Sequence, residues 1–331
     1  MQKSIAAARK NDASVYAKKE FAECLKLYNS SMKEWKLQNE KWIMKRNFTK
    51  LKNLVKLTTE KAIKSNKKAI ETTGSLTQYI DKNITELKRR DINFRTKYKF
   101  LPLEKKVFKE YSTAQLKLLE SIENAKRNDF LASYSCLVEA ENGFSNIETE
   151  AKGLLKSYFK DFKQWEKWYN NVINNSRSNG SYAIIVDKMA HICFLVKDGK
   201  VIRQYDAELS QKWIGNKLYQ GDNATPEGEY FITKKLDSKN TKFYKALLIN
   251  YPNENDKKRY AEAVRSKAIS HSVKIGGLIE IHGEGGKGKD WTNGCVALTN
   301  KDMDHLFSIA KTGFPVLIIG SITPLNELFS E

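Results

Sequence analysis

Residues 278–297 read LIEIHGEGGKGKDWTNGCVA, and this stretch decides how the second half of the chain is understood. Leu278, Ile279 and Ile281 form a short apolar run that predicts a strand, ending where His282 meets Gly283. Gly283, Gly285, Gly286 and Gly288 then permit tight turns, so the loop is able to return the backbone until Cys295 approaches the imidazole. An ordinary thiol titrates near about 8.5, and a neighbouring imidazolium or backbone dipole raises its thiolate fraction at neutral pH. Gly294 lets its own N–H and that of Cys295 point at one spot, where each holds an oxyanion for about 3 kcal/mol. The plain alternative makes Cys295 a small buried hydrophobe and His282 a structural imidazole. On a strand end and a glycine loop together, the two read as a nucleophile and its base. Glu280 alternates with Ile279 and Ile281 and is expected to face away from them, whereas Glu284 and Asp290 read as solvated loop charges. Trp291 reads equally as the wall of a substrate groove or as filler beside the loop.

A second segment, GDNATPEGEY at 221–230, precedes this one by about fifty residues. His282-Gly283, Thr292-Asn293-Gly294-Cys295-Val296 and the Thr225, Pro226, Gly228, Tyr230 pattern together resemble the L,D-transpeptidase (YkuD-like) catalytic domain of bacterial cell-wall enzymes, over roughly residues 180 to 320. Asn293 stands where the commoner motif has a second histidine, and Ala297 where many members carry arginine. The strings 221–230, YPNEND at 251–256 and DWTNGCVA at 290–297 are similar to a subgroup, with a DWTxGCxA-type motif, that includes peptidoglycan–lipoprotein amidases.

The resemblance implies a cysteine-dependent L,D-transpeptidase acting on peptidoglycan stem peptides at meso-diaminopimelate through a thioester. It makes Cys295 the nucleophile, His282 its base and Gly294 an oxyanion donor, with the Gly283 carbonyl orienting the imidazole. Trp291, Thr292 and Asn293 are expected to contact substrate. The alternatives are an L,D-carboxypeptidase, an amidase hydrolysing a stem peptide or a peptidoglycan–lipoprotein link, and a catalytically inactive wall-binding scaffold. No cofactor or metal is expected, because a cysteine nucleophile needs none and His191, His271 and His305 lack ligand partners at useful spacing. Cys24, Cys136 and Cys193 read as structural. The resemblance places the protein in the periplasm or extracytoplasmic envelope, while no signal peptide is read at Met1–Ile5.

Composition divides the chain of 331 residues. Its first 180 residues hold 37 Lys+Arg against 21 Asp+Glu, a surplus of +16 out of the total +19, and only three glycines before Gly180. The break falls in NVINNSRSNG at 171–180, giving a basic helical domain over 1–178 and a catalytic domain over 179–331. Phe21, Cys24, Leu25, Tyr28, Met32 and Trp35 recur at helical spacing, as do Leu131, Tyr134, Phe144, Ile147, Ala151 and Leu155. The near repeat of 8–12 (ARKND) at 125–129 (AKRND) suggests two related hairpins. The expected fold is therefore an α-helical bundle or coiled-coil arm followed by a mostly β L,D-transpeptidase-like (β-sandwich) domain with small helices. Strands are predicted at 182–186, 191–196, 201–205, 229–233, 246–250 and 315–319, and helices at 256–270 and 300–312, the latter capped by Thr299. The cations are mixed with acids and carry no recognition motif, so no nucleic-acid partner is expected. An envelope protein, an anionic polymer or a lipid surface fits them better.

Overall fold

A computed structural model of the chain describes residues 1–98 and 101–328. Seven helices come first: α1 (Gln2–Lys10), α2 (Ala13–Tyr16), α3 (Lys18–Glu40), α4 (Thr49–Lys97), α5 (Lys105–Lys126), α6 (Phe130–Tyr158) and α7 (Phe162–Asn179). Strands β1 (Tyr182–Asp187), β2 (Ile192–Lys197), β3 (Lys200–Asp206), β4 (Gly228–Leu236) and β5 (Ala246–Ile249) follow, then α8 (Glu254–Arg265), β6 (Glu280–His282), β7 (Val296–Ala297), α9 (Asn300–Ile309), β8 (Pro315–Ile319) and α10 (Leu325–Leu328). Two compact units result, one of residues 1–92 and 109–146, the other of 93–108 and 147–331.

In the first unit, Ile5, Ala8, Ala13, Ala17, Phe21 and Cys24 close on Ala62 and Ala69 of α4, with Leu25 and Tyr28 packed against them. The face expected to continue through Met32 and Trp35 does not. Met32 and Trp35 are exposed, and Ser31, Glu34 and Gln38 are buried in their place. Thr58 of α4 supplies the reason, since its hydroxyl meets Ser31 Oγ at 3.3 Å and a polar seam replaces an apolar one. Likewise Leu131 and Tyr134 are exposed, while Leu137, Ala140 and Phe144 carry the buried face of α6. Gly143 is required there, because a Cβ would lie 2.7 Å from that of Ala114 on α5.

The second unit is built on one mixed, curled sheet of eight strands in the order β3-β2-β1-β8-β4-β5-β6-β7. Asp198-Gly199 turns β2 into β3, and β8 returns to lie parallel to β1 and antiparallel to β4. Val186, Ile184, Val316 and Ile318 are fully buried along that central pairing. α9 starts where Thr299 accepts from the Asp302 N–H, and it ends at Ile309, short of the expected 312. α8 begins two residues earlier than expected, because Asn253 and Asp256 form a reciprocal cap.

Against this sheet sits a buried charge. Lys188, just past β1, donates to Gly215 O (2.7 Å), Thr225 O (2.9 Å) and Glu227 Oε1 (2.7 Å), using all three ammonium protons. Burial pulls its pKa down, and the Glu227 carboxylate opposes that pull. Glu227 also accepts from Tyr158 Oη at 2.8 Å and Trp165 Nε1 at 3.1 Å, so the end of α6 and the start of α7 are tied to the segment leading into β4. Replacing Glu227 with Ala strips a buried cation of its counter-ion and two further donors of their acceptor. The expected cost in a denaturant titration is about 3–5 kcal/mol, far more than for the exposed Glu229→Ala two residues on, in β4.

Candidate active site

Strand β6 lies between β5 and β7, with Ala246 opposite His282 on one side and Ala297 opposite His282 on the other. Ile281 pairs with Val296, both buried, so the alternation of the strand turns Glu280 and His282 to the opposite face. Cys295 immediately precedes Val296 and comes out on that same face. Its Sγ lies 3.8 Å from Leu278 O. Cys295, His282, Glu280, Trp291, Thr292 and Asn293 all line one cleft of about 1410 Å³.

His282 is fully buried. Its Nδ1 lies 2.6 Å from Gly283 O, an acceptor only, so Nδ1 carries the proton and Nε2 holds the lone pair. Among the described residues Nε2 has no hydrogen-bond partner. Burial lowers the imidazole pKa from 6.5 to about 4, with the Gly283 carbonyl opposing and Lys242 and Lys287 adding to the fall. The Cys295 thiol moves the other way. Burial raises it to about 11, partly offset by the Glu280 N–H and reinforced by the Glu280 carboxylate. Burial thus favours a neutral thiol beside a neutral imidazole.

Other placements refine the expectations. Trp291 meets the imidazole edge-on with centroids 5.8 Å apart, and its indole N–H donates to Glu208 at 2.7 Å. Thr292 is buried, donates to Cys295 O at 2.7 Å and accepts from the Gly294 N–H at 3.3 Å, so its hydroxyl braces the turn and is not free for substrate. The Gly294 N–H is correspondingly turned toward Thr292 and not out toward a shared oxyanion position. Glycine is needed at 294: φ is +139°, and a Cβ would lie 2.9 Å from Ala224 O. Asn293 is exposed on the cleft.

One reading of a loop charge is corrected. Asp290 is not solvated, since it accepts from the Leu209 N–H at 2.8 Å and meets His191 Nε2 at 2.9 Å. His191 thus has a partner 99 residues away that no local spacing reveals. Together with Glu208, which binds the Trp291 indole and the Gly288 N–H, Asp290 staples the glycine loop to residues 208–209. Glu284 is exposed, as read.

Phe243 was missed by sequence reasoning. Its ring stacks on His282 at 3.5 Å between centroids and 5° between planes, fixing the imidazole's tilt. The signal lies in the register, because Phe243 sits three residues before Ala246, the partner of His282. Glu280 was seen but left without a role. It is buried, its carboxyl is raised by burial against a bond from Thr241, and it lines the cleft. Cys193 is fully buried on β2 and burial raises its thiol to about 12, leaving it a core residue. Among the described residues no group of three or more His, Cys, Asp or Glu is placed to hold a metal.

Residues 181–318 match the family model of the YkuD L,D-transpeptidase catalytic domain. That match covers less than half of the chain, and over it the chain is similar to the L,D-transpeptidase catalytic domain family. A curated relative, "Putative L,D-transpeptidase YafK" of Escherichia coli strain K12, is 30% identical over 94 residues, 28% of this chain and 31% of the relative. The chain therefore spans less than a third of that relative's length. Among solved structures, an L,D-transpeptidase fragment from Xylanimonas cellulosilytica is 15% identical, covering 42% of this chain and 61% of its own at a TM-score of 0.28. An L,D-transpeptidase from Mycobacterium smegmatis is 13% identical, with coverage of 42% and 58% and a TM-score of 0.27.

The lowered imidazole pKa has a signed consequence. Between about pH 6.5 and 4 the unfolded chain binds a proton at His282 that the folded chain refuses, so this contribution is complete above 6.5 and lost as pH falls toward 4. The loss amounts to roughly 3 kcal/mol. Denaturant unfolding at pH 7 and pH 4.5 is expected to show a smaller acid loss for His282→Gln than for the native chain, and equal losses would remove His282 as the cause. Glu280→Gln removes the charge that raises the thiol. Alkylation of Cys295 by iodoacetamide, followed against pH, is expected to shift its midpoint downward in that variant.

Proposed function

We propose that the YkuD-like domain is a cysteine acyltransferase acting on peptidoglycan stem peptides at meso-diaminopimelate. The observation that carries this reading is the unpartnered, unprotonated Nε2 of His282 in the same cleft as the Cys295 thiol. His282 Nε2 takes the thiol proton as Sγ bonds to the carbonyl carbon of the L,D-peptide bond. The tetrahedral adduct then collapses, the C–N bond breaks, and His282 returns the proton to the departing amine of D-alanine. An incoming amine gives a cross-link and restores the thiol. Water in its place gives a carboxypeptidase.

The Cys295 N–H and a reoriented Gly294 N–H serve the oxyanion in this scheme, and the exposed Asn293 amide meets the substrate where commoner members present a histidine. The Gly283 carbonyl acts as positioning group by fixing the tautomer of His282. Residues 179–331 carry the reaction, while the basic residues 1–178 engage an envelope partner or anionic polymer, which puts the working protein outside the cytoplasmic membrane.

The DWTNGCVA string favours a second reading with the same acyl-enzyme: hydrolysis of a peptidoglycan–lipoprotein link. Incubation with muropeptides and with lipoprotein-linked peptidoglycan, followed by mass spectrometry, separates the outcomes. Cross-linked dimers support the first reading, released lipoprotein the second, and no change a scaffold. Cys295→Ala is expected to abolish any conversion, and full turnover in that variant would remove Cys295 as the nucleophile.

A further inference from the structure

The loop joining α3 to α4 is built inside out. Its polar side chains are bonded back onto the chain: Gln38 donates to Glu34 at 2.7 Å and accepts from the Asn47 N–H at 3.0 Å, and Lys50 reaches Glu34 at 3.1 Å. Arg46 curls over the end of α3, donating to Lys41 O and Asn39 O at 3.0 Å each, and Asn47 accepts from the Thr49 N–H at 2.9 Å. Glu34 and Gln38 are buried by this arrangement. What it turns outward is apolar: Trp42, Ile43 and Met44, consecutive at the start of a 3-10 turn (Ile43–Lys45), are 70%, 69% and 78% exposed. A loop held only by solvation would present the reverse pattern.

The charge around this tip is mostly positive, the exposed Glu40 at the end of α3 being the exception. Residues 41–59 contain six Lys or Arg and no Asp or Glu, although acids and bases alternate elsewhere in the helical region. Three apolar side chains in a row on one turn offer a wedge, not the spaced stripe with which a helix meets another helix. A tryptophan beside aliphatic side chains and a cationic collar matches a surface that is apolar within, anionic outside and deformable. No helix among the described residues is long and apolar enough to cross a membrane, so such a contact is peripheral.

We propose that this end of the α3–α4 hairpin docks on an anionic lipid bilayer. Trp42, Ile43 and Met44 enter the interface, and Lys41, Lys45 and Lys52 lie over the headgroup phosphates. The bonds of Arg46 and Gln38 hold the wedge ready, so little ordering is required on contact.

Sedimentation of the full chain with vesicles of phosphatidylcholine alone and of phosphatidylcholine with equimolar phosphatidylglycerol tests this. Binding is expected only to the anionic vesicles, weakening as salt is raised. The triple variant Trp42→Ser, Ile43→Ser, Met44→Ser removes exposed side chains only, so its circular dichroism is expected to be unchanged while its partitioning falls at least about tenfold. Lys41→Gln with Lys45→Gln and Lys52→Gln is expected to lose the preference for anionic lipid. Native chain that stays in the supernatant, or a triple variant that binds as tightly, overturns the proposal. So does light scattering that shows the native chain self-associating through this tip, abolished in the triple variant, without vesicle binding.

Discussion

The second unit depends on one buried ammonium. Lys188 follows β1 directly, and its three bonds reach the 215 loop, the 225 turn and the Glu227 carboxylate. A cation in that position is costly to desolvate, so it is tolerable only if every acceptor is in place. That requirement fixes where Glu227 must be, and Glu227 in turn fixes Tyr158 and Trp165. The Trp165 ring then lies so close to Gly320, beyond β8, that no side chain fits at that position. One carboxylate thereby holds the strand pair β1–β8 and the helical segment 158–165 in a single arrangement.

The same knot reaches the cleft. Asn216 brackets Glu227 with two backbone bonds, and the next residue, Lys217, is held by Asp222 and Tyr219 O. Lys217 and Ala224 form the surface against which Gly294 is pressed. On the other side, Glu208 and Asp290 hold the glycine loop that carries Trp291. The turn before Cys295 is therefore clamped from both ends by carboxylates.

Much of this architecture is legible in the sequence, for identifiable reasons. The strands β1, β2, β3 and β8 follow from short apolar runs bounded by Asp-Gly or proline, and α9 from a Thr299 cap. His282 and Cys295 stand out because glycine surrounds them. Glu227 does not, since within TPEGEY it reads as a spacer; its role comes from Lys188, Tyr158 and Trp165, partners 39 to 69 residues away. Asp290 and Phe243 are hidden for the same reason, because their meaning lies in strand order and not in local period. In the helical region the periodicity gives the right helix but the wrong face beyond Tyr28, where Thr58 of the partner helix selects Ser31 over Met32. Hydrophobic spacing says which residues are able to share a face, and only the partner decides which face is covered.

In the proposed reaction, burial of the thiol and the imidazole sets the order of events. With the thiol at about 11 and the imidazole at about 4, moving a proton from Cys295 to His282 at rest costs about 10 kcal/mol before the attraction between the resulting charges is counted. That attraction returns only a few kcal/mol at the separations and effective dielectric of a protein interior, so an ion pair is not stored in advance. Proton transfer must instead accompany bond formation to a carbonyl whose developing oxyanion is itself stabilised. Donors for that oxyanion then matter more than any preformed thiolate. In the proposed reaction the bond between the Gly294 N–H and Thr292 Oγ1, at 3.3 Å the longer of the two that the Thr292 hydroxyl makes in the turn, is the one whose release exposes a donor beside Cys295.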